Sequence, residues 1–303
     1  MSNKNQHPPS NLKYKTSMSK GLFVGLVTLD LIYLAEFSPR NNQKIAAIDY
    51  TAAAGGPGTN AGVTFSYLGN IATVVGVVGS HPMTQLIKSD LTTHKVEILD
   101  LNPANHNPPP VSSIIVTQGT GERAVISMNA VKIQADSSCL PETILNDVDI
   151  VLLDGHQMEV SEKIAIAAKN KNIPVVIDGG SWKSGFDNIL PYVDYAICSS
   201  NFFPPNCYQE TDVFTYLQSF KVPYIAITKG EQPITYTIDK NADRIDIPQI
   251  PTVDTLGAGD IFHGAFCHYI IHYEFNFPAA LTAAANIASL SCHSFGTRSW
   301  MIA

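Results

Sequence analysis

The chain has 303 residues, of which 45% are hydrophobic and 15% charged, and its formal net charge is -7. A chain this apolar can bury a sizeable core, which excludes a disordered protein. The acidic balance and the absence of any Lys/Arg cluster argue against a nucleic-acid partner, which would need a basic face.

The first 20 residues are polar and are predicted to form a disordered tail. The apolar run that follows, residues 22–35, superficially resembles a signal peptide, but Asp30 interrupts it and no small-residue cleavage site follows. It is also shorter than the roughly 20 residues that a membrane span needs. We therefore predict a buried first strand and no membrane partner.

Further along the chain, apolar runs alternate with segments of helical periodicity. Continuous runs predict strands at residues 21–27, 71–78, 149–153, 173–177, 195–198 and 224–228. The clearest helical segments are residues 59–68, 161–170 and 212–220. Continuous rather than alternating runs indicate strands that are covered on both faces. This order predicts an α/β fold with a doubly wound, mostly parallel sheet flanked by helices.

Two segments, residues 44–53 and 111–128, alternate like half-exposed strands, and the second contains a Gly-Thr-Gly turn at residues 119–121. They predict a small β lid, covering about residues 33–54 and 108–130. No linker divides the remainder, so residues 21–303 are predicted to form one domain.

The strongest motif is V-D-T-L-G-A-G-D at residues 253–260, which is followed by helical periodicity. The backbone N–H groups of Gly257, Ala258 and Gly259 would lie at a positive helix N-terminus, where a phosphoryl group gaining charge is stabilised. Asp260 could accept the proton of an attacking hydroxyl. For the short G-x-G-D string alone, the alternative is an ordinary strand–turn–helix corner with an N-capping Asp.

The longer D-T-x-G-A-G-D string resembles the C-terminal signature of the ribokinase-like, or PfkB-type, carbohydrate kinases. G-G-P-G-T-N-A-G at residues 55–62 resembles the N-terminal signature of the same family. The resemblance extends from about residue 21 to the C-terminus. It implies the ribokinase-like fold, ATP as phosphoryl donor, Mg2+ and a monovalent cation, K+, close to Asp254.

By this resemblance, four residues contact the acceptor sugar: Asp30, Gly55, Gly56 and Asn60. An Asp inside an apolar run is costly without partners, which supports a functional role for Asp30. The glycines would let the backbone approach hydroxyl groups, and the Asn60 amide offers both a donor and an acceptor. The alternative for Asn60 is a helix cap.

The resemblance also predicts the nucleotide site. Thr228, Lys229 and Gly230 lie where the family has a strand end that contacts the nucleotide, and Asn286 lies on a helix that borders the adenine pocket. A strand ending in Lys-Gly is an ordinary turn as often as not.

Three further residues could meet ligands. Arg123 and Arg298 could each bind an anionic group of the substrate or an ATP phosphate, with a surface arginine as the alternative. His156 follows a strand at the edge where open α/β sheets bind ligands, so it could touch the acceptor or be a structural histidine.

Two departures from the family pattern stand out. Many members have N-x-x-E near Mg2+, but here Pro204 stands in place of the Glu, which leaves the metal ligands undefined and Asp178 as a fallback. Ketohexokinases have an Asn directly after the glycine pair, and here Pro57 takes that position.

Together these features predict an ATP-dependent sugar kinase. A ketose-like acceptor is favoured because residues 253–266 look closest to ketohexokinases and related ketose or sulfosugar kinases. The alternatives are a nucleoside kinase and a non-catalytic ligand-binding relative. Five cysteines without a C-x-x-C pair indicate reduced thiols and a cytoplasmic protein. A homodimer through the lid is a further expectation from the family.

Overall fold

A computed structural model describes residues 17–128 and 133–302. The strands are β1 (Lys20–Val24), β2 (Thr28–Ala35), β3 (Asp49–Gly55), β4 (Ile71–Gly76), β5 (Val96–Asp100), β6 (Val111–Thr117), β7 (Arg123–Ser127), β8 (Ile150–Leu153), β9 (Val175–Gly179), β10 (Tyr195–Ser199), β11 (Tyr224–Lys229), β12 (Gln232–Ile238) and β13 (Asn241–Ile245). The α-helices are α1 (Pro57–Tyr67), α2 (Thr84–Thr93), α3 (Met158–Asn170), α4 (Phe186–Ile189), α5 (Glu210–Ser219), α6 (Ala258–His272) and α7 (Phe277–Ser291).

The main sheet has the strand order β13-β12-β11-β10-β9-β8-β1-β4-β5 in the part of the chain that the structure describes. Strands from β11 to β5 pair in parallel, and β12 and β13 form an antiparallel hairpin at one edge. This arrangement confirms the predicted mostly parallel α/β sheet.

Helices cover both faces of the main sheet, because successive side chains of a strand point to opposite sides. In β1, Phe23 packs in a core with α1, α2, α6 and α7. Its neighbours Leu22 and Val24 pack in a second core with α3, α4 and α5. The predicted doubly wound layering is therefore confirmed.

A second sheet has the order β3-β2-β6-β7. Its inner face carries a small buried cluster of Ile32, Ile114 and Val116, which packs against partly buried Leu256 and Phe295. The predicted hairpin is present as β6 and β7, which pair antiparallel. The predicted strand 44–53 begins later, at Asp49.

The predicted first strand, residues 21–27, is wrong at its C-terminal end. β1 ends at Val24, and Asp30 lies in β2 of the second sheet. Asp154 is the physical reason: its carboxylate accepts the Leu26 N–H at 2.9 Å, and a Cβ on Gly25 would lie 2.0 Å from it. The backbone is thereby turned out of the main sheet.

The remaining boundaries shift by a few residues. Of the predicted tail, residues 1–16 lie outside the described residues, while Lys20 already belongs to β1. Residues 129–130 of the predicted lid and Ala303 also lie outside the described part. Within that part, no helix is both long enough and apolar enough to traverse a lipid bilayer.

Candidate active site

The candidate site is built around the N-terminus of α6. Gly257 caps this helix in the left-handed region, with φ 71° and ψ 2°. A Cβ at this position would also lie only 2.8 Å from Cγ2 of Thr297. Conformation and space therefore both require glycine at position 257.

Several backbone N–H groups at this helix end are available to an anion. The N–H of Ala258 donates to the carbonyl of Thr255 at 3.3 Å. Among the described residues, the N–H groups of Gly257, Gly259 and Asp260 have no such partner. Gly257 and Gly259 of the predicted set thus have free N–H groups, Asp260 adds a third, and the role of Ala258 stays a prediction.

Asn60 contacts the predicted catalytic base. Its Nδ2 donates to Oδ2 of Asp260 at 2.8 Å, and its side chain is almost completely buried. Asn60 is not a cap, since Gly56 precedes α1 as its N-cap. The two residues meet because α1 and α6 pack closely: a Cβ on Gly264 would lie 2.2 Å from the carbonyl oxygen of Ala61.

The surroundings of the Asp260 carboxyl favour its neutral form. Burial raises its pKa to about 7, and the negative charge of Asp178 adds to the rise. The hydrogen bond from Asn60 and the nearby His263 act in the opposite direction. A pKa near the working pH suits a general base, because the group can both accept and release a proton.

Asp30 and the glycine pair lie together at the end of the second sheet. Thr28 donates its hydroxyl to Oδ1 of Asp30 at 2.8 Å, and burial raises the pKa of Asp30. A Cβ on Gly55 would lie 2.0 Å from Oδ2 of Asp30. Gly56 has φ +103°, and its Cβ would lie 2.1 Å from the carbonyl oxygen of Leu26. Both glycines are therefore required by the local packing.

Asp154 is a buried residue of this region that the sequence analysis missed. Its Oδ2 accepts the N–H groups of Leu26 at 2.9 Å and Gly58 at 3.1 Å, and its Oδ1 accepts the N–H of His156 at 2.9 Å. Burial opposes its ionisation, but His156 and these donors lower the pKa of Asp154 to about 2. The sequence signal that could have identified Asp154 is the one used for Asp30, namely an acidic residue that interrupts or ends an apolar run.

His156 was predicted at the acceptor, and the structure shows it tied to Asp154. Its Nδ1 lies 3.1 Å from Oδ1 of Asp154, and its side chain is partly buried. This contact accounts for the orientation of the imidazole ring, so the structural alternative is sufficient for His156.

A cavity of about 510 Å³ opens beside the N-terminus of α6. Its polar walls include Ser199, Asn201, Gly259 and His263. Its apolar walls include Ile234, Ile247, Phe262, Ala285 and Ala288. A pocket with an apolar end and a polar end beside free N–H groups has the size and chemistry to bind a nucleotide.

The predicted nucleotide residues divide into two groups. Thr228 and Gly230 line this cavity. Lys229 instead forms an ion pair with Glu210, and Asn286 is exposed, so neither is among the lining residues. Alternation along β11 turns Lys229 away from Thr228, because neighbouring side chains of a strand face opposite sides.

Arg123 lies at the same cavity rather than at the acceptor end. Its Nη1 donates to Oγ1 of Thr255 at 2.7 Å and to the Thr255 carbonyl at 3.3 Å. The guanidinium group is exposed on β7 and contributes to the cavity wall. Of the two partners predicted for Arg123, this position is suited to an ATP phosphate, and its contact with a substrate anion stays a prediction.

The residues available to Mg2+ are oxygen donors. Asp178, at the end of β9, is buried, with its Oδ2 3.4 Å from Nδ1 of His263, and Asn201 lines the cavity. Pro204 supplies no side-chain donor. Across residues 17–128 and 133–302, no group of three or more His, Cys, Asp or Glu could hold a metal. This set fits Mg2+ that is bound mainly by phosphate and water oxygens.

Asp254, the predicted neighbour of a monovalent cation, is buried. Its Oδ1 accepts the N–H of Leu256 at 2.8 Å, and its Oδ2 accepts the N–H of Gly296 at 2.8 Å. Burial raises its pKa. The carboxylate thus joins the loop before α6 to the C-terminal segment, and K+ at this position stays a prediction.

Comparison with known proteins agrees with this geometry. Residues 18–302 match the model of the pfkB family carbohydrate kinases. A ribokinase of Bacillus subtilis is 24% identical over 295 residues, which are 92% of this chain and 94% of that protein. The ribokinase of Giardia lamblia has a similar structure, with a TM-score of 0.78, 17% identity and coverage of 94% and 96%. Arabidopsis thaliana ribokinase complexed with ribose and ATP has a TM-score of 0.72, 21% identity and coverage of 92% and 94%.

Proposed function

Because the chain belongs to the pfkB family of carbohydrate kinases, which are ATP-dependent kinases of alcohol groups, we propose that it phosphorylates a sugar hydroxyl with Asp260 as general base. The hydrogen bond from Asn60 to Asp260 is the observation that carries this proposal. Two further observations support it: the carboxyl, with a pKa of about 7, directly follows Gly259 of the cavity wall, and its charge interacts with that of Asp30.

The reaction follows from these positions. The acceptor hydroxyl gives its proton to the Asp260 carboxylate as its oxygen attacks the γ-phosphorus of ATP. The bond from that phosphorus to the bridging oxygen breaks, and ADP leaves with the electron pair. The N–H groups of Gly257, Gly259 and Asp260 stabilise the charge on the transferred phosphoryl group. Asp178 and Asn201 are the residues that would hold Mg2+, which supplies neutralisation of the phosphate charge.

At the acceptor end, Asp30 and Asn60 bind hydroxyl groups, and the second sheet closes over them to exclude water. A ketose is our first candidate acceptor, because residues 253–266 resemble ketohexokinases. Ribose is the second, because the Arabidopsis ribokinase binds it. Nucleosides are the third, since they present the same sugar hydroxyls.

The test is release of ADP from ATP and Mg2+ across a panel of ketoses, aldoses, sulfosugars and nucleosides. We expect turnover with a sugar, and a loss of several orders of magnitude in kcat in Asp260→Asn, with ATP binding by calorimetry nearly unchanged. Near-normal turnover in Asp260→Asn would contradict the assignment of the base. Turnover only with nucleosides would contradict the sugar acceptor.

We further propose that the protein forms a homodimer in which the second sheet of one copy contacts the second sheet of the other. Its outer face exposes Tyr33, Tyr50 and Ile126, and the last two are 73% and 78% exposed. Apolar side chains this exposed indicate a contact surface. Ile126→Lys should convert a dimer to a monomer in light scattering, whereas a monomeric unmodified protein would exclude this pairing. The five free cysteines agree with a cytoplasmic location, which we also propose.

A further inference from the structure

Arg298 lies beside Asn60 of the candidate site and contacts three separate parts of the chain. Its Nη1 donates to Oδ1 of Asn60 at 2.9 Å and to Thr297. Its Nη2 donates to the carbonyl oxygen of Ala54 at 2.7 Å and to Oδ2 of Asp90 at 3.1 Å, which also accepts from Nε at 3.2 Å. All three guanidinium nitrogens are therefore engaged within the protein, which leaves Arg298 poorly suited to bind a substrate anion.

The contact with Asn60 determines which way the amide of that residue points. An amide has one acceptor oxygen and one donor nitrogen. Because Arg298 can only donate, it holds Oδ1 of Asn60, and Nδ2 is then directed at Oδ2 of Asp260. Without the guanidinium group, the amide would keep only its bond to Asp260, and its oxygen would lose the partner that fixes its direction.

Asp90 holds the guanidinium group in place. Burial opposes the ionisation of Asp90, but His94 and Arg298 keep the pKa of this carboxyl below its ordinary value. Its Oδ2 also accepts the N–H of Ala54 at 3.0 Å. Ala54 thus has both backbone groups bound by the Arg298–Asp90 pair, and it directly precedes Gly55 of the acceptor region.

We propose that Arg298 is a positioning residue for phosphoryl transfer, which orients the Asn60 amide toward Asp260 and fixes the end of β3 at Ala54. This inference rests on the proposed function for its catalytic consequence. Its structural part, the orientation of the amide, does not depend on the identity of the acceptor.

The first test is a double-mutant cycle with Arg298→Lys, Asn60→Ala and the combination of both. Lysine keeps a charge for Asp90 but cannot hold Asn60 and Ala54 together, so the variant should fold. We expect each single variant to lower kcat at least tenfold, with the KM for ATP changed less than twofold. If Arg298 acts through Asn60, the double variant loses no more than about twofold beyond Asn60→Ala.

The control is Lys169→Met, which removes the ion pair between Lys169 and Asp194. This pair lies on the surface and away from the candidate site. The substitution should leave kcat and both KM values unchanged. Thermal unfolding shows whether each variant is folded. The stoichiometry of ATP binding gives the fraction of active protein, by which each kcat is corrected. Multiplicative losses in the double variant, or an unchanged kcat in Arg298→Lys, would overturn the inference.

A second test needs no activity. In an NMR spectrum of the ligand-free protein, the side-chain amide signal of Asn60 is assigned by its loss in Asn60→Ala. We expect its protons to exchange slowly with solvent in the unmodified protein and at least tenfold faster in Arg298→Lys. Equal exchange in both would overturn the positioning role. If the unmodified protein is inactive with every acceptor of the panel, the proposed function is overturned. The exchange rates would still test whether Arg298 orients the Asn60 amide.

Discussion

Removal of the Asn60 amide should displace the pH dependence of the reaction. Asp260 must be ionised to accept a proton, and its pKa in the ligand-free protein is about 7. With acceptor and ATP both far below their KM values, the rate should therefore fall about tenfold per pH unit below pH 7, because it then reports groups of the free enzyme. The Asn60 N–H donates to the carboxylate at 2.8 Å, which favours the ionised form.

The size of the displacement follows from the strength of that bond. A hydrogen bond to a charged group contributes about 1.5–3 kcal/mol, and one pKa unit corresponds to about 1.4 kcal/mol. Asn60→Ala destabilises the ionised carboxylate by this amount, so the pKa of Asp260 rises by about one to two units. The midpoint of the acidic limb should move from about pH 7 to between about pH 8 and pH 9.

The assay is the initial rate of ADP release at low concentrations of both acceptor and ATP, from pH 5.5 to 9.5 in buffers of constant ionic strength. A matched control is Asn188→Ala, which removes an exposed amide that donates to Glu162 at 3.1 Å. The control should keep the profile of the unmodified protein. An unmoved acidic limb in Asn60→Ala, or a limb that moves toward lower pH, would refute the reasoning.

Three other substitutions test further parts of the site. Gly55→Ala places a methyl group against the Asp30 carboxylate and should raise the acceptor KM about tenfold or more, with the ATP KM within twofold; equal changes in both would contradict this. Ala288→Phe narrows the cavity and should weaken ATP binding at least tenfold by calorimetry, so unchanged binding would place the nucleotide elsewhere. Asp154→Ala leaves three backbone N–H groups, one buried and two partly buried, without an acceptor and should lower the free energy of unfolding in urea at pH 7 by about 3 kcal/mol. Because the folded pKa of Asp154 is lowered to about 2, the part of this contribution that depends on its charge is present above about pH 4 and is lost as the pH falls through 2, so the difference between the variant and the unmodified protein should narrow there.

Much of the fold was predictable because it depends on local patterns. Continuous apolar runs predicted the parallel strands, and the string at residues 253–260 predicted a glycine turn before a helix, which the left-handed Gly257 and α6 confirm. The exception was the segment after Val24, where the apolar pattern continues although the strand ends. A distant carboxylate, Asp154, binds the backbone there, and no local pattern reveals such a partner.

For the candidate site, the sequence indicated the types of residue better than it indicated which of them lie together. The family resemblance predicts Lys229 and Asn286 at the nucleotide, whereas the structure shows Lys229 in an ion pair with Glu210 and Asn286 exposed. Arg123 lies at the cavity because β7 begins beside Thr255. These outcomes depend on which face of an element meets the site, and in a strand a shift of one residue reverses that face.

The sequence by itself determined the α/β class and the glycine-rich helix start, and it indicated the acid that we propose as base, because these follow from hydrophobic periodicity and from residues adjacent in the chain. Only the tertiary structure decided that Asn60 meets Asp260, 200 residues away, and that Arg298 holds the other end of the same amide. The physical reason is that hydrogen bonds between buried side chains depend on the packing of α1 against α6 and of the C-terminal segment against both. That packing is set by the whole core at once.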